Sequence, residues 1–257
     1  IYTSIFFVCL SSSLTVYFDQ KLIFVPFLLF ASILLMKIKN SPKLYSVLLF
    51  SLFALPYIYL IYIWGSILPK PAAEAREVGF SVHFFNPIYC LIIIAFYLFP
   101  FVFYKKEKIK FLLQKKIDNS LLIILGLFSL YFFYTIYFYD IDNLSIDGQG
   151  FFFKLSYYLF VNTGIKIFLT FIALISSTII IYLFFENKKD LLIILFFLVL
   201  SFFTYPFYQE YLDPLIYILI FTFFNEKLDI NNKNIYFLLI YFLFFSLGAK
   251  FYYLIII

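Results

Sequence analysis

What most constrains this chain is a run of about 20 apolar residues that recurs from one end to the other. A helix of that length crosses roughly 30 Å of hydrocarbon and satisfies every backbone N–H and C=O internally. Strands crossing lipid would instead alternate apolar and polar residues, and these runs do not. The expected fold is all-α, a polytopic transmembrane helix bundle. Composition agrees: 65% of residues are hydrophobic and 13% charged, with mean hydropathy +1.02. Soluble domains carry about a quarter charged residues.

Nine apolar segments can be marked, at 1–18, 22–36, 44–64, 84–104, 119–139, 164–185, 191–204, 212–225 and 235–257. Lysines cluster in the loops 37–43, 105–118, 186–190 and 226–234. Each basic loop is separated from the next by a pair of segments, as alternate crossings require. The positive-inside rule then makes all four cytoplasmic and suggests contact with anionic lipid headgroups. The loops 65–83, 140–163 and 205–211 become external, as in a multi-pass protein of a bacterial inner membrane. Segments 191–204 and 212–225 would each span only about 20 Å as helix. Pro206 and Pro214 interrupt that region, so a short tilted pair or a re-entrant hairpin is expected.

No loop exceeds about 25 residues, so residues 1–257 read as a single transmembrane domain. The chain opens on Ile1 inside an apolar run, which suggests a piece of a longer protein. Cys9 and Cys90 both fall within apolar runs and read as packing residues. No Gly-rich phosphate loop, HExxH, GxSxG or CxxC is present, and a single His excludes a His-based metal cluster. No cofactor, metal or nucleic-acid partner is expected.

Three polar stretches could carry chemistry. The first, WGSILPKPAAEAREVGFSVHFFNP (64–87), holds the only Trp, Arg and His: Trp64, Arg76 and His83. Pro71 suits a helix start and Gly79 a helix end, so 71–78 is expected to form a short external interfacial helix. Glu74 and Glu77 share one of its faces, and Arg76 points elsewhere. Arg76 could clamp a phosphate or carboxylate, with Lys70 nearby, and His83 could donate a proton. Against this, charged residues in such a chain have few places to go except loops.

The second stretch is TYPFYQEYLDP (204–214), in which Gln209, Glu210 and Asp213 stand among tyrosines. Acids near membrane depth are costly and tend to be functional, and Gln and Tyr suit a sugar. An interfacial tyrosine belt is the plainer reading. The third is DIDNLSIDGQG (140–150), where Asp140, Asp142 and Asp147 could hold a divalent cation. A solvated acidic loop explains it better, followed by an interfacial helix at 151–160. Lys166 and Lys250, near the outer ends of their segments, could neutralise a lipid phosphate or simply snorkel to the headgroups.

The arrangement resembles the later part of a GT-C-type glycosyltransferase. The resemblance rests on Trp64-Gly65 and Pro69 leading into a polar outer loop, on His83 and Pro87 entering the next helix, and on Gln209-Glu210-Tyr211 before Asp213-Pro214. It covers roughly residues 44–225. It implies sugar transfer from a polyprenyl-phosphate donor at the external face. It implies substrate contacts at Trp64, Lys70, Glu74, Arg76, Glu77, His83, Gln209, Glu210 and Asp213. Such families carry the catalytic carboxylate in the first long outer loop. Asp19-Gln20-Lys21 is too short for that loop, so the general base is expected upstream of Ile1. The alternatives are a transporter or flippase for a lipid-linked or small polar substrate, and a non-catalytic membrane subunit.

Overall fold

The computed structural model describes residues 1–18, 24–65, 82–103, 119–144, 149–185, 188–203, 209, 212, 216, 217, 219, 220, 224 and 232–255. Among them all regular structure is helical. The helices are α1 (Tyr2–Phe18), α2 (Phe24–Leu35), α3 (Asn40–Trp64), α4 (Asn86–Phe103), α5 (Asn119–Phe138), α6 (Gly150–Leu159), α7 (Thr163–Phe184), α8 (Lys188–Ser201) and α9 (Asn232–Ile255). They follow the apolar runs to within a few residues. Four helical stretches, Asn40–Trp64, Asn119–Phe138, Thr163–Phe184 and Asn232–Lys250, are long and apolar enough to cross a membrane. Most of segment 212–225 and the whole expected helix at 71–78 lie outside the described residues.

The chain divides into two compact units. The first joins Ile1–His83 with Lys189–Tyr205. Here α1 and α3 run parallel: Tyr2 meets Tyr45 and Ser41 near the start, and Tyr17 meets Tyr57 and the Phe53 carbonyl near the end. Ile5, Cys9 and Leu49 form the core between them. The α2 helix returns the chain, and Lys43 Nζ donates to the Leu34 carbonyl at its C-terminal end. A cation is favoured there because the helix dipole leaves partial negative charge on the last carbonyls. Buried Ser12 and Ser46 turn their hydroxyls onto carbonyls of their own helices, which pairs them without water.

The second unit joins Phe84–Lys188 with Pro206–Ile257. Its centre is α4, whose residues Ile88 to Ala95 are all buried. The α7 helix packs along α4, α5 packs on α7, and α9 packs on α4 through Tyr241, Phe242 and Phe245 around Phe96. Tyr241 also donates its hydroxyl to the Phe96 carbonyl. Within α7, Thr170 and Thr178 donate to carbonyls one turn back, so these polar side chains need no water.

The outward faces of the long helices are apolar. On α3, Leu44, Leu48, Leu52, Leu55 and Tyr59 are exposed at helical spacing. On α5 the same holds for Ile123, Leu127, Leu130 and Tyr134, and on α9 for Ile240, Leu243, Phe244 and Leu247. Apolar stripes of this extent are untenable in water and suit acyl chains. The chain is a helical membrane protein.

Candidate functional site

One face of α4 carries Asn86, Tyr89, Ile93 and Tyr97, at spacings of three and four residues, so they form a single stripe. The short helix α6 lies along this stripe in the opposite sense. Its first residue, Gly150, faces Ile93, and Phe153 then packs edge-on against Tyr89 at 5.1 Å. Tyr157, a turn further on, lies beneath the Lys166 ammonium, 4.6 Å from its ring centre. Along α6 the chain therefore runs from beside Ile93 back toward the Asn86 end of α4. Ile93 is seven residues beyond Asn86, so α6 begins roughly 10 Å below the Asn86 end of α4.

The entry to α6 is built from amides. Gln149, at 2% exposure, takes a left-handed backbone with φ 61°. Its Nε2 donates to Asn86 Oδ1 at 2.9 Å, and Asn86 is itself fully buried. Gly150 follows with φ 81°. A β-carbon there would stand 2.8 Å from Ile93 Cδ1 and 3.3 Å from Gln209 Oε1. Glycine thus serves both the backbone conformation and the close approach. Gln209 reaches the same place from its own segment: its Oε1 accepts from the Phe151 N–H at 2.8 Å, and its Nε2 donates to the Tyr97 hydroxyl at 2.8 Å. An N–H in the first turn of a helix has no partner within the helix, and Gln209 supplies one.

Two buried polar atoms have no hydrogen-bond partner among the described residues, Gln149 Oε1 and the Tyr89 hydroxyl. The Tyr89 hydroxyl lies toward Thr170 without reaching bonding geometry.

Beyond the amides lies an ionic latch. Lys166 Nζ, nearly buried, donates to Asp142 Oδ1 at 2.7 Å, and the Thr163 hydroxyl donates to Asp142 Oδ2. The Lys166 hydrogen bond, with that of Thr163, holds the Asp142 carboxyl below its ordinary value. Asp140 Oδ1 accepts from the Asp142 N–H and caps the 3-10 turn Ile141–Asn143. Asp140 and Asp142, weighed above as cation ligands, are therefore occupied in turn capping and ion pairing, while Asp147 lies outside the described residues. The latch also engages Lys166, considered above as a phosphate partner. Lys250 is exposed on α9.

Of the residues singled out from sequence, Lys70, Glu74, Arg76, Glu77, Glu210 and Asp213 lie outside the described residues. Trp64 is the half-buried last residue of α3, and Gly65 closes the helix at φ 69° with its N–H on the Ile61 carbonyl. His83 is half-buried, and its backbone N–H donates to the Phe202 carbonyl at 2.8 Å. Burial lowers its imidazole pKa below the ordinary 6.5, so it is neutral at pH 7. Trp64 and His83 belong to the first compact unit, and Gln209 to the second.

Among the described residues, Gln209 is the one expected substrate contact that joins the amide cluster. Asn86, Tyr97, Gln149 and Gly150 were not singled out by sequence reasoning. The signal for the last two was Gln149-Gly150 at the end of DIDNLSIDGQG, where attention went to the aspartates. No protein-family model, curated protein or solved structure matches the chain.

Proposed function

We propose that the chain is the substrate-handling membrane part of a GT-C-type glycosyltransferase. It takes a sugar from a polyprenyl-phosphate donor at the external face of a bacterial inner membrane. The observation that carries this reading is the uncharged amide and phenol cluster of buried Asn86, Tyr97 and Gln149 with half-buried Gln209. Amides and phenols are the groups that read sugar hydroxyls without needing a counter-charge in lipid. Asn86 stands at the end of α4 that the lysine distribution assigns to the outside, and Tyr97 lies eleven residues deeper along the same helix. In transfer, the acceptor oxygen bonds to the sugar's anomeric carbon as the carbon–oxygen bond to phosphate breaks. The phosphate leaves with the electron pair, and the acceptor's proton passes to a base. Arg76, with Lys70, holds the leaving phosphate, and Glu74, Glu77, Glu210 and Asp213 line the polar outer loops. The cytoplasmic lysines bind anionic headgroups.

The test is binding of a polyprenyl-phosphate hexose to the purified chain in nanodiscs. Arg76→Ala is expected to weaken it about tenfold, the scale of one charge-assisted phosphate contact. Unchanged affinity would overturn the role of Arg76. A flippase is the second reading, favoured by the inward start of α6, because broken helices beginning at depth are a transporter device. Movement of the same lipid between leaflets of reconstituted vesicles would favour it.

A further inference from the structure

The N-terminal end of α6 has two costs that no contact among the described residues offsets. Gln149 holds a backbone conformation that non-glycine residues rarely take. The same residue leaves its Oε1 buried and unpaired at 2% exposure. An unmade hydrogen bond at a buried amide costs about 1–3 kcal/mol, so native structures retain one only for a reason. Because Gln149 is the residue that caps α6, the orphan atom stands at the helix's N-terminal end.

The chemistry of this place selects its occupant. The unpaired atom is an acceptor, so the ligand must donate, which excludes a bare anion. The N-terminal end of α6 carries partial positive charge, which disfavours a cation. Asn86, Gln149, Gln209 and Tyr97 are all uncharged. A neutral group that both donates and accepts is what remains, and a hydroxyl satisfies the Gln149 amide whichever way it is turned. We propose that Gln149 Oε1, at the entry to α6 beside Asn86 of α4, is the acceptor that reads a hydroxyl of a polyol ligand. The donor reading above supplies only the name of the polyol, a hexose; the hydroxyl site stands on the orphan amide.

The test uses the full chain in nanodiscs, free of sugar-based detergent, and three probes: a polyprenyl-phosphate hexose, polyprenyl phosphate without sugar, and an alkyl hexoside without phosphate. Two variants are compared, Gln149→Leu, and Gln149→Gly, which suits the left-handed backbone and guards against misfolding. Both are expected to lose about tenfold in affinity for the two hexose probes, the scale of one lost contact to a buried amide, and nothing for polyprenyl phosphate. If wild type binds the hexose probes no more tightly than polyprenyl phosphate, or the variants bind them as wild type does, Gln149 Oε1 meets a structural water only and the proposal falls. If the alkyl hexoside binds in a Gln149-dependent way while neither polyprenyl probe does, the hydroxyl site stands and the polyprenyl-phosphate donor falls.

Discussion

At Gly150 the backbone passes so close to α4 that a β-carbon would stand 2.8 Å from Ile93 Cδ1. The residue also holds φ 81°, where an alanine is strained on its own account. Gly150→Ala is therefore expected to destabilise the second unit by about 1–3 kcal/mol, the usual scale for overpacking a close contact. Denaturation of the purified protein measures this. The double variant Gly150→Ala with Ile93→Ala should recover part of the loss, because the two residues share one space. Strictly additive losses would show that Ile93 is not what the alanine meets. By contrast, Gly65 also has a positive φ of 69°, but among the described residues a β-carbon there would meet nothing within 4 Å, and its helix-ending backbone is what favours glycine.

The α6 helix is ten residues long, too short to be stable alone, and is held at both ends. At its inner end Gln209 bridges the Phe151 N–H to the Tyr97 hydroxyl. At its outer end the Asp142–Lys166 pair ties the preceding turn to α7, and Lys166 rests over Tyr157. Gln209→Leu strips both partners at once and leaves two polar groups to be satisfied in an apolar setting. It should cost about 1–3 kcal/mol and speed hydrogen exchange at Phe151 and its neighbours while leaving α3 unchanged. Equal exchange at Phe151 in both proteins would mean that Gln209 does not anchor α6. The outer tie has its own pH dependence. Because the Asp142 pKa is lowered in the folded state, its contribution is present above the ordinary value of 3.8 and is lost as pH falls through the lowered one.

Over the molecule as a whole, the apolar helices and their exposed faces place the chain in a membrane, and the lysine distribution predicts an orientation. That orientation can be read by labelling. Cys9 and Cys90 are buried, so engineered cysteines report over a quiet background. Val161→Cys, at a position 95% exposed between α6 and α7, is expected to react with an impermeant maleimide added outside intact cells. Lys39→Cys is expected to react only after permeabilisation. Labelling of both from the same side would contradict the lysine-based topology. The sequence also treated all the spans alike, whereas α4 is enclosed by protein and α3, α5 and α9 each show an apolar face outward. The two situations cannot be told apart from composition, because lipid tails and a helix-packed interior are equally apolar.

Where the helices run was legible from the residues themselves. Transfer into hydrocarbon adds up residue by residue, so runs such as 44–64 and 164–185 declared themselves without any partner, and α3 and α7 follow them closely. The candidate site was not legible in the same way. Gln149 and Asn86 are 63 residues apart, and Gln209 and Tyr97 are 112 apart. Their meaning arises only where α4, α6 and the Gln209 segment converge. Reading by charge drew attention to Asp140 and Asp142, which cap a turn and pair with a lysine, and passed over the Asn86 and Gln149 amides, although Gln209 was picked out. Hydrophobic burial is a property of each side chain, but a buried hydrogen bond belongs to a pair. Only the tertiary structure decided which pairs were made and which buried atoms among the described residues, Gln149 Oε1 and the Tyr89 hydroxyl, were left unpaired.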